Sequence, residues 1–277
     1  MFVRAIIGAD TPGVKRRGQC SDPLEFSGNF HAPMNLLAID TSTDFCSVAA
    51  SRGALLFSRH ESAGRRQAER ILDMVGEVLM EAHLEIAQIQ GIAFGAGPGS
   101  FTGLRIAAGV TQGLALARGI GVVGVGTLLA LVEEAVEQAA EEAAKESADK
   151  TARQIPGERI IACLDAHMGE VYHAAYRRAG AGWEEVSAPG LYKPEAVPLA
   201  SGRDWLGCGD AFAAYRDRLV ARLGESVSAI RPDAAPTARA VLKIATPRFA
   251  AGDASDAATA VPVYLRDKVA LKTSERG

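Results

Sequence analysis

From Asn35 onward, hydrophobic and polar positions along the chain fall into regular patterns. Residues 35–40 (NLLAID) form a short apolar run ending in an acid, and residues 40–44 (DTSTD) form a turn rich in side-chain acceptors. Residues 45–51 and 54–60 read as two further strands joined by a tight turn at Arg52-Gly53. Between Gln67 and Ala82, apolar residues Ile71, Leu72, Met74, Val75, Val78, Leu79 and Ala82 recur every three or four positions, the period of a helix. That stripe is broader than one buried face needs, which leaves part of it for a second surface. Residues 89–94 read as a strand, 102–118 as a helix and 121–125 as a strand. Thr127 then opens a long Ala/Glu-rich helix expected to end between Ser147 and Thr151.

The second half repeats the theme more weakly. Residues 159–165 and 170–178 read as paired strands across a turn at 166–169, with a third at 183–187. A short strand at 205–208 leads into a helix over 211–223. A final helix spans 237–245, with Pro236 favourable at its start and Pro247 marking its end. An extended tail covers 261–272 and contains Arg266-Asp267-Lys268. Strands in a meander followed by alternating helix and strand thus occur twice, which predicts an α/β fold of two similar lobes, 34–132 and 133–277. Prolines and glycines break any periodicity in residues 1–33, expected to be a disordered extension or to precede the true start at Met34.

Composition narrows the class. The 277 residues are 48% hydrophobic and 23% charged, as in a globular protein, and no apolar run is long enough for a membrane-spanning helix. A formal net charge of -3 argues against a chain that grips nucleic acid unaided, because phosphate neutralisation needs a basic face. Cys20, Cys46, Cys163 and Cys208 are scattered without a C-x-x-C pair and read as reduced thiols. The histidines show no metal spacing, and His167 and His173 read as surface or hairpin residues.

Candidate chemistry concentrates in two places. The glycine cluster at 95–103 (GAGPGSFTG) follows a strand and opens a helix, yet it is neither a P-loop nor a dinucleotide fingerprint. Its backbone N–H groups could cradle an anion, or its glycines could serve a tight turn with Ser100 or Thr102 as N-cap; the two readings are evenly matched. Ser100 lacks the flanking glycines of a nucleophile elbow. The turn Asp40-Thr41-Ser42-Thr43 is an acidic strand end of the kind that holds a metal–nucleotide complex, although a self-satisfied Asx turn is the favoured reading. The phosphate-loop-like set is therefore Asp40, Thr41, Ser42, Thr43, Gly97, Gly99, Ser100, Thr102 and Gly103. No catalytic residue, metal ligand or cofactor is assigned. Gly109 and Gly113 lie four apart on one face of the second helix, where glycine costs about 1 kcal/mol against alanine; close approach of another helix would explain them.

Five segments in order carry a family resemblance: LLAIDTSTDFCSVA (36–49), GIAFGAGPGSFTGLRI (91–106), VTQGLALA with VVGVGTLLAL (110–117, 122–131), ACLDAHMGEVYHAAY (162–176) and PVYLRDKVALK (262–272). Together they resemble the TsaB (YeaZ) family over residues 34–272. The resemblance implies the actin, sugar-kinase and heat-shock ATPase superfamily, hence two actin/sugar-kinase-like lobes with a duplicated βββαβα core. It implies a cytoplasmic, non-catalytic subunit that has lost the metal site of its paralogue TsaD. Such a subunit pairs with a TsaD-like catalytic subunit, and a TsaE-like ATPase joins them. Threonylcarbamoyl then passes to the adenosine 3′ of the anticodon, with tRNA met only through the complex; a homodimer of the lone chain is left open. The pairing surface is implied to lie on the first two helices, with Ile71, Leu72, Val75, Leu79, Gly109 and Gly113 as contacts. One departure stands out: Gln67-Ala68 replaces a His-Ser pair found in many relatives. The alternatives are an autonomous ATPase or kinase of the same superfamily and, weakest, a peptidase. The first would need a second phosphate loop, for which the chain offers only CLDA (163–166) and GCGD (207–210).

Overall fold

The run LLAI is buried on both faces, and the first lobe assembles around it. The computed structural model describes residues 24–25, 34–146 and 158–266, without the side chains of 24–25 and 144–146. Strand β2 (Leu36–Asp40) sends Leu37 and Ile39 towards helices α1 (Gln67–Glu81) and α2 (Phe101–Arg118). Its alternate residues Leu36 and Ala38 pack under α6 (Ala238–Ala250), as the two-residue period of a strand requires. Antiparallel β3 (Phe45–Arg52) and β4 (Leu55–Ser62) lie on one side of β2; parallel β5 (Gly91–Gly97) and β6 (Gly121–Gly126) lie on the other.

The second sheet repeats this plan. Strands β7 (Arg159–Asp165), β8 (Val171–Ala179) and β9 (Gly182–Tyr192) form the meander, and β10 (Trp205–Cys208) and β11 (Val227–Arg231) continue in parallel from β7. The orders β4-β3-β2-β5-β6 and β9-β8-β7-β10-β11 are the same, so the lobes are two copies of one α/β unit. Their helices differ. The first copy has α1 between β4 and β5, α2 between β5 and β6, and α3 (Thr127–Glu146) after β6. The second has only a 3-10 turn (Pro194–Ala196) where α1 would stand, then α4 (Ala211–Ala214) and α5 (Arg216–Leu223).

Several sequence expectations need correction. Within the segment read as an extension, β1 (Leu24–Glu25) pairs with Leu56 and Leu55 at the first sheet's edge; the rest of 1–33 lies outside the described residues, as do the end of the long helix and the tail beyond 266. The helix expected to stop at Pro247 runs on to Ala250. Proline there removes one N–H near the helix end, while the next turn buries Phe249 against Gly91, where a Cβ would stand 2.4 Å from the ring. The helix expected over 211–223 breaks at Tyr215, whose hydroxyl donates to Asp165 Oδ1 at 3.0 Å. Helix α6, in the half expected to build the second lobe, lies on the first sheet.

Helix α3 joins the lobes. Its adjacent Glu133 and Glu134 are both 3% exposed. Glu133 accepts from Trp183 Nε1 on β9 at 2.7 Å and pairs with Lys243 on α6 at 2.5 Å. Glu134 accepts from Thr237 Oγ1 at 2.5 Å and from Arg239 at 2.6 Å.

His173, read from sequence as a surface or hairpin residue, is fully buried on β8, edge-on to the Tyr192 ring. Neither ring nitrogen has a partner among the described residues, and burial lowers its pKa to about 4. The folded chain holds the ring neutral, whereas the unfolded chain protonates it near pH 6.5. This stabilisation is complete above pH 6.5 and fades as pH falls towards 4, by roughly 3 kcal/mol. Urea unfolding at pH 7 and pH 4 should therefore show a smaller acid loss in His173→Phe than in the parent; parallel losses would contradict the assignment.

Candidate partner-binding face and interlobe cleft

The glycine loop and the Asp40 turn are zipped together. Ser100 Oγ caps α2 by accepting from Gly103 N–H at 3.3 Å, while Ser100 N–H donates to Ser42 O at 2.7 Å. Thr41 Oγ1 donates to the Gly103 carbonyl at 2.7 Å. A Cβ at Gly95, Gly99 or Gly103 would lie 1.8, 2.3 or 1.8 Å from Asp40 Oδ2, Ser42 O and Thr41 O respectively. The glycines thus admit a neighbouring strand end, and backbone contacts fill the space close to them. Gly97 meets the tail in the same way, its would-be Cβ 2.5 Å from Val263 O. Thr43 and Thr102 line the cleft beyond the loop.

Asp40 is almost wholly buried. Its Oδ1 accepts from Ser42 N–H at 3.1 Å and Ser42 Oγ–H at 2.8 Å, while Oδ2 has no partner among the described residues. Burial pushes the carboxyl up to about 6 against those two bonds. Gln67, whose role the sequence left open, is buried at the start of α1, and its amide N–H groups donate to the carbonyls of Thr41, Thr43 and Phe45. One side chain thereby ties the first turn of α1 to the strand end beside α2.

A cleft of about 780 Å³ separates the lobes, lined on one side by Ser42–Phe45 and the glycine loop. Across it stand Asp165 and Asp210. These acids are occupied locally: Asp210 Oδ1 accepts from Asp165 N–H at 2.8 Å, and Asp165 Oδ1 accepts from His167 N–H at 2.8 Å. A Cβ at Gly209 would stand 2.2 Å from Cys163 O, repeating the packing of Gly99 on Ser42. Among the described residues no cluster of His, Cys, Asp and Glu has metal-binding geometry.

On the far side of the first lobe, α1 and α2 present a different surface. Ile71, Val75 and Leu79, expected as partner contacts, are 0%, 5% and 7% exposed and belong to the core. They brace α1 from beneath. Leu72, one position off that stripe, is 54% exposed; with it stand Met80 at 68% and Leu116 at 61%, neither singled out from sequence. Gly76 on α1 and Gly109 and Gly113 on α2 lie open, with no described residue within 4 Å of a would-be Cβ.

Residues 60–273 match the family model described as TsaD: tRNA N6-adenosine threonylcarbamoyltransferase. A relative from Escherichia coli (strain K12), the tRNA threonylcarbamoyladenosine biosynthesis protein TsaB, is 36% identical over 249 residues, 86% of this chain and 97% of that protein. The chain belongs to the TsaB family. The TsaB of Haemophilus influenzae is 31% identical over 248 residues, 86% of this chain and 96% of its own. The solved structure of YeaZ from Pseudomonas aeruginosa covers 84% of this chain and 100% of its own, with TM-score 0.69 and 34% identity. Another, described as an uncharacterized protein with similarity to peptidase YEAZ from Pseudomonas aeruginosa, gives 0.70 and 35% with the same coverage.

For this TsaB-family chain the two groups of glycines do opposite work, and substitution separates them. Gly103→Ala drives a methyl into the Thr41 carbonyl and should lower stability by about 2 kcal/mol or more. Chemical denaturation checks this; a Gly103→Ala chain as stable as the parent would show that the zipped loop is not held as described.

Proposed function

We propose that this chain is a non-catalytic subunit in the biosynthesis of threonylcarbamoyladenosine in tRNA, acting in the cytoplasm. In this reading it pairs with a TsaD-like catalytic subunit through the outer face of α1 and α2, and a TsaE-like ATPase joins the pair. The complex transfers threonylcarbamoyl to the adenosine 3′ of the anticodon, and tRNA meets this chain only within it. One observation carries the proposal: Leu72 and Met80 on α1 and Leu116 on α2 stand exposed on the two helices whose three glycines no described residue approaches. Clustered apolar side chains on a surface mark an interaction site, and glycines let a second helix backbone come close. Without a partner, the same face suits a second copy of the chain. Membership of a family whose relatives are named for this pathway supports the assignment.

The autonomous ATPase or kinase reading has less support. Its phosphate loop would have to form where Thr41 and Ser42 carbonyls already meet the glycines, and the second lobe repeats that obstruction at Gly209. Nor does Ser100, hydrogen-bonded as a helix cap, stand as a peptidase nucleophile.

The glycines supply a two-sided test. Gly109→Ala and Gly113→Ala, at open helical positions, should each raise the stability of the isolated chain by roughly 0.5–1 kcal/mol. The same changes, like Leu72→Glu, should weaken binding to a TsaD-like subunit by about tenfold or more, measured by calorimetry or co-purification. Modification by the reconstituted set, supplied with threonylcarbamoyl-adenylate, should fall in parallel. Unchanged affinity in all three variants would remove the face from the interface, and transfer by the chain alone would end the non-catalytic reading.

A further inference from the structure

The segment PVYLR, part of the tail that carries the family resemblance, takes no part in the pairing face. After Ser255 bridges to Val122, the chain runs back beside α2, with Ala257 and Ala260 packed into the first core and Gln112 donating to Ala258 O at 3.3 Å. It then crosses the mouth of the cleft. On the first-lobe wall, Val263 N–H donates to Ala96 O at 2.7 Å. The Tyr264 ring lies 5.2 Å from the Phe101 ring, and its hydroxyl accepts from Arg105 Nε at 3.0 Å. On the second-lobe wall, Leu265 packs against the core beneath β7 and β8. Arg266 donates to Glu170 Oε2 at 2.5 Å and to His167 O at 3.3 Å.

We propose that residues 261–266 are a latch that holds the two walls of the cleft together, with Val263–Tyr264 as one anchor and Leu265–Arg266 as the other. The geometry leaves little slack. From Tyr264 to Arg266 an extended chain spans at most about 7 Å, so the walls cannot separate appreciably while both anchors hold. The second-lobe anchor grips a turn that needs holding: His167, Met168 and Gly169 have φ of 58°, 58° and 76°, and the left-handed region is unfavourable for the first two. The latch is also built to be released. Val261, Val263 and Tyr264 are 58%, 52% and 43% exposed, and a segment held by few buried contacts detaches at low cost. Its first anchor sits on Phe101 and Arg105, in the opening turns of the helix that carries Gly109 and Gly113. The inference stands independently of what covers that face.

Hydrogen exchange on the full isolated chain, with no partner present, tests it through crossed effects. Arg266→Ala removes a contact to the second lobe, yet should make amides of residues 97–103 in the first lobe exchange about tenfold faster. Tyr264→Ala should do the same to residues 166–170 across the cleft, while central amides of β2 and β7 keep their rates. Spin labels placed at Asp44→Cys and His167→Cys, on opposite walls, should move apart in the Arg266→Ala background. Faster exchange confined to the wall each residue touches, or an unchanged label distance, would overturn the latch. Should Arg266→Ala unfold the chain, Arg266→Lys, which keeps the charge without the forked grip, decides by the same readouts.

Discussion

Glu133 and Glu134, neighbours on one helix and both buried, are the constraint on which the shape of the molecule rests. Burial alone would push a carboxylate such as Glu133 towards protonation. Bonds from Lys243 and Trp183, with the nearby charge of Arg178, outweigh it, and the pKa is lowered. The partners come from both lobes: Trp183 and Arg178 belong to the second sheet, Lys243 and Arg239 to the helix lying on the first. An ion pair of this kind adds little against a well-packed apolar substitute, but losing one partner strands a charge at a cost of about 3–5 kcal/mol. The lobes are therefore tied to one another at α3, and the cleft, its acids and the strap across it are arranged around that tie.

Much of the fold was legible in the sequence because its strongest signals are local. The three- and four-residue spacing from Ile71 to Ala82, the end of the second helix at Arg118 and the twice-repeated meander each follow from the pattern of a few residues. What escaped notice depends on distant partners. Val227–Arg231 carries half-exposed residues and forms a strand only because β10 offers an edge. Pro247 looks like a stop signal until Phe249 is seen to need Gly91, more than 150 residues earlier in the chain. The outer surface of α1 and α2 was read only in part. Ile71 and Leu72 are adjacent and equally apolar, and only the helical phase set by Met74, Val78 and Leu79 turns the first inward and the second out. The same phase turns Val75 and Leu79 inward and Met80 out. Leu116 likewise lies off the buried register of Leu104, Ala107, Ala108, Thr111 and Ala115.

At the glycine loop a strand end, a glycine turn and a helix N-terminus meet at the edge of an interlobe cleft. Here Thr41, Ser42 and Gln67 supply the hydrogen-bonding groups that stitch these pieces to one another. The site is a joint, connecting α1 and α2 to the wall of the cleft. An unpartnered Asp40 oxygen is left inside it, and its ionisation is disfavoured accordingly.

The two copies of the fold are unequal in one respect: a single 3-10 turn stands in the second where the first carries a fifteen-residue helix. Among the described residues the second copy therefore has no counterpart to the α1–α2 pair of the first. A subunit with two such pairs could chain onto itself without limit, whereas self-matched contact through one pair closes after a single union. Were the proposed face to join two copies, the shortened connection between β9 and β10 would leave neither copy a second such pair through which to extend the union.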